Sequence, residues 1–340
     1  MQFAKGLLWI AIVCIGLLAR AHAESVADFY KGKNLDLYIG YSVGGGYDLY
    51  ARLLARHLGR HIPGNPTVLP QNMPGAGSLR LTNWLYGAAA KDGSVIGAIS
   101  RGTAFDPILS RPGIAFEAVK FSWIGSANNE VSICASASRS GIAVFDDMKT
   151  KEIVVGAAGV SSDDDQFPRV INAVFGTKMR VVSGYPGGND VVLALERGEV
   201  NGRCGWSWSS MKSAQASWLT EHKIHLLAQL ALSKHPDLPD VPLITDLAQN
   251  DEQRQILKLI FARQNLGRPF VGPPGIPADR LAALRAGFDE TMKDPAFLAD
   301  ADKLKLEVNP LTGVQVEDLV KQVYTETPPK IAERAAALLP

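Results

Sequence analysis

The chain has 340 residues, with 35 Lys and Arg against 34 Asp and Glu. That length exceeds one ordinary hydrophobic core, so two lobes are expected. The near balance of charge removes any electrostatic case for nucleic acid or for an anionic membrane surface as partner.

The N-terminus reads as a cleavable export signal. Lys5 supplies a positive start, Gly6 to Leu18 form an apolar run too short to span a bilayer, and Arg20 closes it. Ala21-His22-Ala23 places small residues where a signal peptidase needs them, so cleavage is expected after Ala23, leaving Glu24 as the mature N-terminus. Val13 before Cys14 is too bulky for lipoprotein processing. No later stretch approaches the roughly 18 apolar residues of a spanning helix, so the mature part is expected to be soluble.

From there the chain repeats one motif: short apolar strand, Gly-rich turn, amphipathic helix. Leu35 to Tyr41 reads as a strand, Val43 to Gly46 as its turn, and Leu49 to Leu58 as a helix with Leu49, Leu53, Leu54 and Leu58 on one face. Val95 to Ser100 runs into Arg101-Gly102-Thr103, Ile153 to Ala157 into Ala158 to Ser162, and Met179 to Ser183 into Tyr185 to Gly188. Strands alternating with helices predict an α/β fold with parallel pairing, whose ligands bind at the carboxyl ends of strands. The tail is helical, with Ala278 to Met292, Pro295 to Leu304 and Val314 to Val323 packing on an earlier sheet. Of three cysteines, Cys14 leaves with the signal. Cys134 and Cys204 remain as a disulfide that export permits, or as two buried thiols.

Five blocks in order resemble the receptors of tripartite tricarboxylate transporters, the Bug family. They are Gly40 to Asp48 with Ala51-Arg52-Leu53-Leu54, Asn72 to Gly77, Gly156 to Ser162, Leu238 to Pro242, and Gly272 to Arg280. Two departures stand out: Gly40-Tyr41-Ser42-Val43 replaces the family's Pro-Phe-Ala-Pro, and Gly205 to Ser209 differs from its usual loop. The resemblance implies a two-lobed periplasmic-binding-protein fold with a ligand cleft between the lobes. The first lobe would be 24–127 plus 267–340, and the second 128–266. It implies a periplasmic, monomeric receptor without cofactor, which binds a small carboxylate and delivers it to integral-membrane permease subunits. It also places Cys134 and Cys204 on neighbouring strands, where a disulfide could form.

A carboxylate needs convergent donors, and glycine turns at helix N-termini supply amides with a favourable dipole. Under the resemblance, the first lobe would offer Tyr41, Ser42, Gly44, Gly45, Gly46, Tyr47 and Asp48, with Asp48 chiefly capping free amides. A second turn would bring Ala76, Gly77 and Ser78, and a third Ser100, Arg101 and Thr103. Arg101 is either a bidentate clamp on a carboxylate or, on the blander reading, a solvated surface arginine or an interlobe ion pair. The second lobe would contribute Gly159, Ser161 and Ser162 ahead of Asp163-Asp164-Asp165, then Tyr185, Gly187 and Gly188, and finally Trp206 and Ser207.

Enzyme readings are weaker. Gly205-Trp206-Ser207-Trp208-Ser209 narrowly misses the nucleophile elbow of a serine hydrolase because Ser209 stands where that turn needs glycine. An exported hydrolase using Ser207 is therefore the alternative function. No Gly-Lys-Ser/Thr follows the glycine turn, which argues against nucleotide binding. His57 and His61 have zinc-ligand spacing but Leu58 sits where a metalloprotease carries glutamate, so no metal is expected.

Overall fold

The computed structural model describes residues 24–339; the segment expected to be an export signal lies outside them. Two mixed sheets organise the chain. The first has strand order β11-β4-β10-β3-β1-β2, built from β1 (Asn34–Ile39), β2 (Thr67–Asn72), β3 (Val95–Ala98), β4 (Ser122–Ser126), β10 (Pro269–Gly272) and β11 (Leu311–Thr312). Strands β1, β2 and β3 pair in parallel, whereas β10 runs antiparallel between β3 and β4. The second sheet has order β7-β6-β8-β5-β9, from β5 (Ser132–Ala137), β6 (Ile153–Ala157), β7 (Met179–Ser183), β8 (Gly202–Ser207) and β9 (Ile224–Leu230).

Each sheet buries both faces. In β1, Leu35, Leu37 and Ile39 alternate into a core with Leu53, Leu54 and Leu58 of the helix Gly46–Leu58, the period-two and period-3.6 patterns meeting as amphipathic packing requires. The opposite face collects Leu81, Leu85, Trp123 and Val316. The second sheet lies between a core with Phe167, Ile171 and Ile260 and another with Trp206, Val192 and Leu195. Strands β5 and β8 pair with Cys134 opposite Cys204, and the two are joined by a disulfide.

Two linkers connect the sheets side by side, residues 127–131 and 262–268. They bond to each other through Ala127 N to Arg268 O at 3.0 Å and Glu130 N to Gln264 O at 2.8 Å. The chain crosses once more at its end: the helix Gly313–Glu326 covers the first sheet, while Ile331 and Ala335 of the helix Pro329–Ala337 are buried in the second sheet's core. Among the described residues, no helix is long and apolar enough to cross a membrane.

Candidate functional site

The helix Gly46–Leu58 starts three residues before the apolar stripe begins, because Gly45 is extended and the chain turns immediately after it. Gly45 has no side chain to cap the first turn, so its amides stay open. Asp48 does not cap them. Its buried carboxylate accepts from Gly44 N at 2.9 Å, Arg52 Nε at 2.9 Å and Asn72 Nδ2 at 2.8 Å, fixing the loop ahead of the helix.

The second lobe mirrors this end. The helix Gly188–Arg197 is preceded by Gly187 and also lacks a side-chain cap. A β-carbon on Gly45 would lie 3.8 Å from both Gly188 N and Asn189 N, with Asn189 Nδ2 3.5 Å from the same position on Gly44. Two open helix N-termini, one from each lobe, therefore face each other. The helices Asp163–Phe175 and Trp208–Gln215 begin beside the same cleft, so four positive helix ends converge on it.

A cavity of about 60 Å³ remains between the lobes. Of the residues expected from sequence, Tyr41, Gly44, Gly45, Gly46, Tyr47 and Arg101 line it from the first lobe, and Ser162, Gly188, Trp206 and Ser207 from the second. Tyr41 and Tyr47 stack with ring centroids 4.6 Å apart, and burial holds the Tyr41 hydroxyl well above its ordinary pKa.

The other expected residues meet around the cavity as a seam between lobes. Ser42 donates to Asp190 at 2.5 Å, and its amide donates to Pro186 O beside Gly187. Gly77 (φ +67°) and Gly159 (φ +143°) bring two backbones together, and a β-carbon on Gly77 would strike the amide of Ser162. Ser161 N donates to Ala76 O at 3.4 Å, and Ser100 Oγ donates to Ser161 O at 3.2 Å. Ser78 accepts from Ser100 N, and Thr103 donates to Ser100 O, both inside the first lobe. Tyr185 is half-buried against the second-lobe core. Asp48, as described, holds the loop behind the cavity.

Arg101 is an interlobe ion pair. Its Nε donates to Asp163 at 2.5 Å, NH2 to Ser132 and Ser207, and NH1 to Gly267 O. Burial opposes its charge, but Asp163 more than restores it, and the guanidinium is held above its usual range. Ser207 thus accepts from an arginine, and among the described residues no histidine bonds to it. His57 and His61 bond instead to Asp300 and Asp294.

Two lining arginines carried no signal in the sequence. Arg203 on β8 donates to Asp164 at 3.1 Å. Arg268, on the second linker, pairs with Glu130 of the first linker at 3.0 Å and lies over the rings of Tyr47 and Tyr50. Asp163 and Asp164 line the cavity while engaged by Arg101 and Arg203. Asp165 pairs with Arg169, so each carboxylate of the acidic run has its own internal partner. Leu49, Asn189, Val192, Gly205, Ser210, Ala214 and Gln215 complete the wall. Asn189 follows a Gly-Gly pair at a helix start, a position that marks exposed amides; the rest follow no local pattern.

No protein-family model and no curated protein matches the sequence. Solved structures do match the fold. The periplasmic binding protein BugD aligns with a TM-score of 0.70 at 20% identity, over 91% of this chain and 99% of its own. MatC from Rhodopseudomonas palustris, with bound malate, gives 0.71 at 17%, over 90% and 99%. Rpa4515 from R. palustris, with adipate, gives 0.70 at 14%, over 90% and 98%. Two α/β sheets, paired linkers and a cleft at strand carboxyl ends thus form the two-lobed fold of the periplasmic binding proteins.

Proposed function

We propose that the chain is an extracytoplasmic receptor of the Bug type, exported by its 1–23 signal, which captures a small carboxylate between its lobes. The lobes would be 24–127 with 267–340, and 128–266, the last helix strapping across to the second. The closed, liganded form would be presented to the integral-membrane permease subunits of a tripartite tricarboxylate-type transporter. MatC and Rpa4515, solved with malate and adipate, share the fold and support the ligand class.

The observation that carries this reading is the meeting of two uncapped helix N-termini from opposite lobes at Gly45 and Gly188-Asn189. An anion seated there touches both lobes and loses half its donors when they part. It therefore binds the closed state better, which is the condition for a ligand to shift such an equilibrium. Capture needs no bond to be broken, and among the described residues Ser207 Oγ accepts from Arg101 and bonds to no histidine.

The test is calorimetry and thermal shift on the mature chain from Glu24 with acetate, lactate, pyruvate, malate, adipate and citrate. At least one acid should raise the melting temperature, as binding to the native state does. If none binds, while a chromogenic ester is hydrolysed by wild type and not by Ser207→Ala, the receptor reading is wrong and the hydrolase reading right.

A further inference from the structure

We propose that the ligand is a short monocarboxylate of about two or three carbons, not a di- or tricarboxylate; this rests on the receptor reading above. Size is the first argument. The cavity measures about 60 Å³, well under the roughly 150 Å³ that encloses a benzene molecule in a protein core. At this lobe separation it holds a carboxylate and a small substituent.

Charge is the second. Three arginines reach the wall, and each already has a buried carboxylate partner: Arg101 with Asp163, Arg203 with Asp164, Arg268 with Glu130. Of their buried side-chain nitrogens, Arg268 Nε alone has no acceptor among the described residues. The uncommitted positive potential therefore centres on the facing helix ends and Arg268, which suits one carboxylate. The lining carries Arg101, Arg203 and Arg268 against Asp163 and Asp164, one positive charge in excess, so a second carboxylate would find no unpaired cation to meet it. Asp164 is therefore the specificity-determining residue: it neutralises Arg203 and removes the cation that a second carboxylate would need.

Calorimetry on the mature chain decides. Acetate, lactate and pyruvate should bind about tenfold or more tighter than malate, adipate and citrate. Asp164→Asn keeps the shape of the side chain but frees the charge of Arg203, and should shift the ratio toward malate by about tenfold or more. The wild-type ranking is decisive even if that variant does not fold. Malate, adipate or citrate binding tighter than the monocarboxylates would overturn this inference and leave the receptor reading standing. No binding by any of the six acids would overturn the receptor reading itself.

Discussion

Arg101, in the turn after β3, and Asp163, in the first turn of a second-lobe helix, form a buried ion pair across the cleft at 2.5 Å. Arg263 approaches the same carboxylate at 3.6 Å. The pair fastens the closed lobes and at the same time forms part of the cavity wall, so closure and ligand binding share residues.

Removing one partner of a buried pair leaves an uncompensated charge and costs about 3 to 5 kcal/mol. Arg101→Ala should therefore lower the melting temperature and raise the radius of gyration in small-angle scattering. The double variant Arg101→Met with Asp163→Leu should lose less than the sum of the two single variants, with Arg263 then keeping Asp106 as its acidic neighbour. Purely additive losses would show that the two residues do not act as a pair.

Gly77 packs where a β-carbon would strike the backbone of Ser161-Ser162 in the other lobe. Gly77→Ala should weaken ligand affinity by about tenfold or more, because it opposes closure without touching the ligand. Its positive φ adds about 1 kcal/mol of local strain. Calorimetry beside urea unfolding separates the two effects; a loss of stability at unchanged affinity would contradict the seam.

The disulfide between Cys134 and Cys204 spans a sequence separation of 70 residues. A loop of that size suggests about 4 kcal/mol of stabilisation as an upper figure. Reducing the protein should lower its urea midpoint, and a non-reducing peptide map should show the linked peptides. Free thiols at both positions would contradict the bond.

Burial pushes the Asp106 carboxyl up to about 6, against the pull of Arg263 and of hydrogen bonds including that from Gln166. The native state then holds this proton more tightly than the unfolded chain does, whose carboxyl keeps the ordinary value of 3.8. Its contribution to stability therefore falls as pH rises from about 4 to 6, then levels off. Asp106→Asn should equal wild type below about pH 4 and exceed it at pH 7 by up to about 3 kcal/mol. Urea midpoints across that range check it; a difference independent of pH would contradict it.

Much of the fold was legible in local pattern. The strand expected over Leu35 to Tyr41 is Asn34–Ile39, and the tail helices expected from Ala278, Pro295 and Val314 begin at Ala278, Pro295 and Gly313. Those signals are periodicity and capping, which neighbours in sequence carry. The site was legible only in part. The glycines of 44–46 and 187–188 mark helix starts, but a glycine needed for close approach does not say what approaches. At Gly45 that space opens onto the cavity; at Gly77 it is filled by the other lobe's backbone. Arg203 and Arg268 lie on a strand and a linker with nothing periodic about them, and only the folded chain brings them to Asp164 and Glu130.

The receptor reading requires one anion to bridge the helix ends at Gly45 and Gly188. Gly45 has φ −81°, which any residue adopts, and a β-carbon there would make ordinary contact, 3.8 Å from Gly188 N and Asn189 N. Gly45→Leu should therefore fold without backbone strain and lay its branch across the seat. Calorimetry of wild type and Gly45→Leu, with the tightest binder among acetate, lactate, pyruvate, malate, adipate and citrate, tests it directly. Affinity should fall by about a hundredfold or more at an unchanged melting temperature. Unchanged affinity in the folded variant would contradict it and place the anion elsewhere.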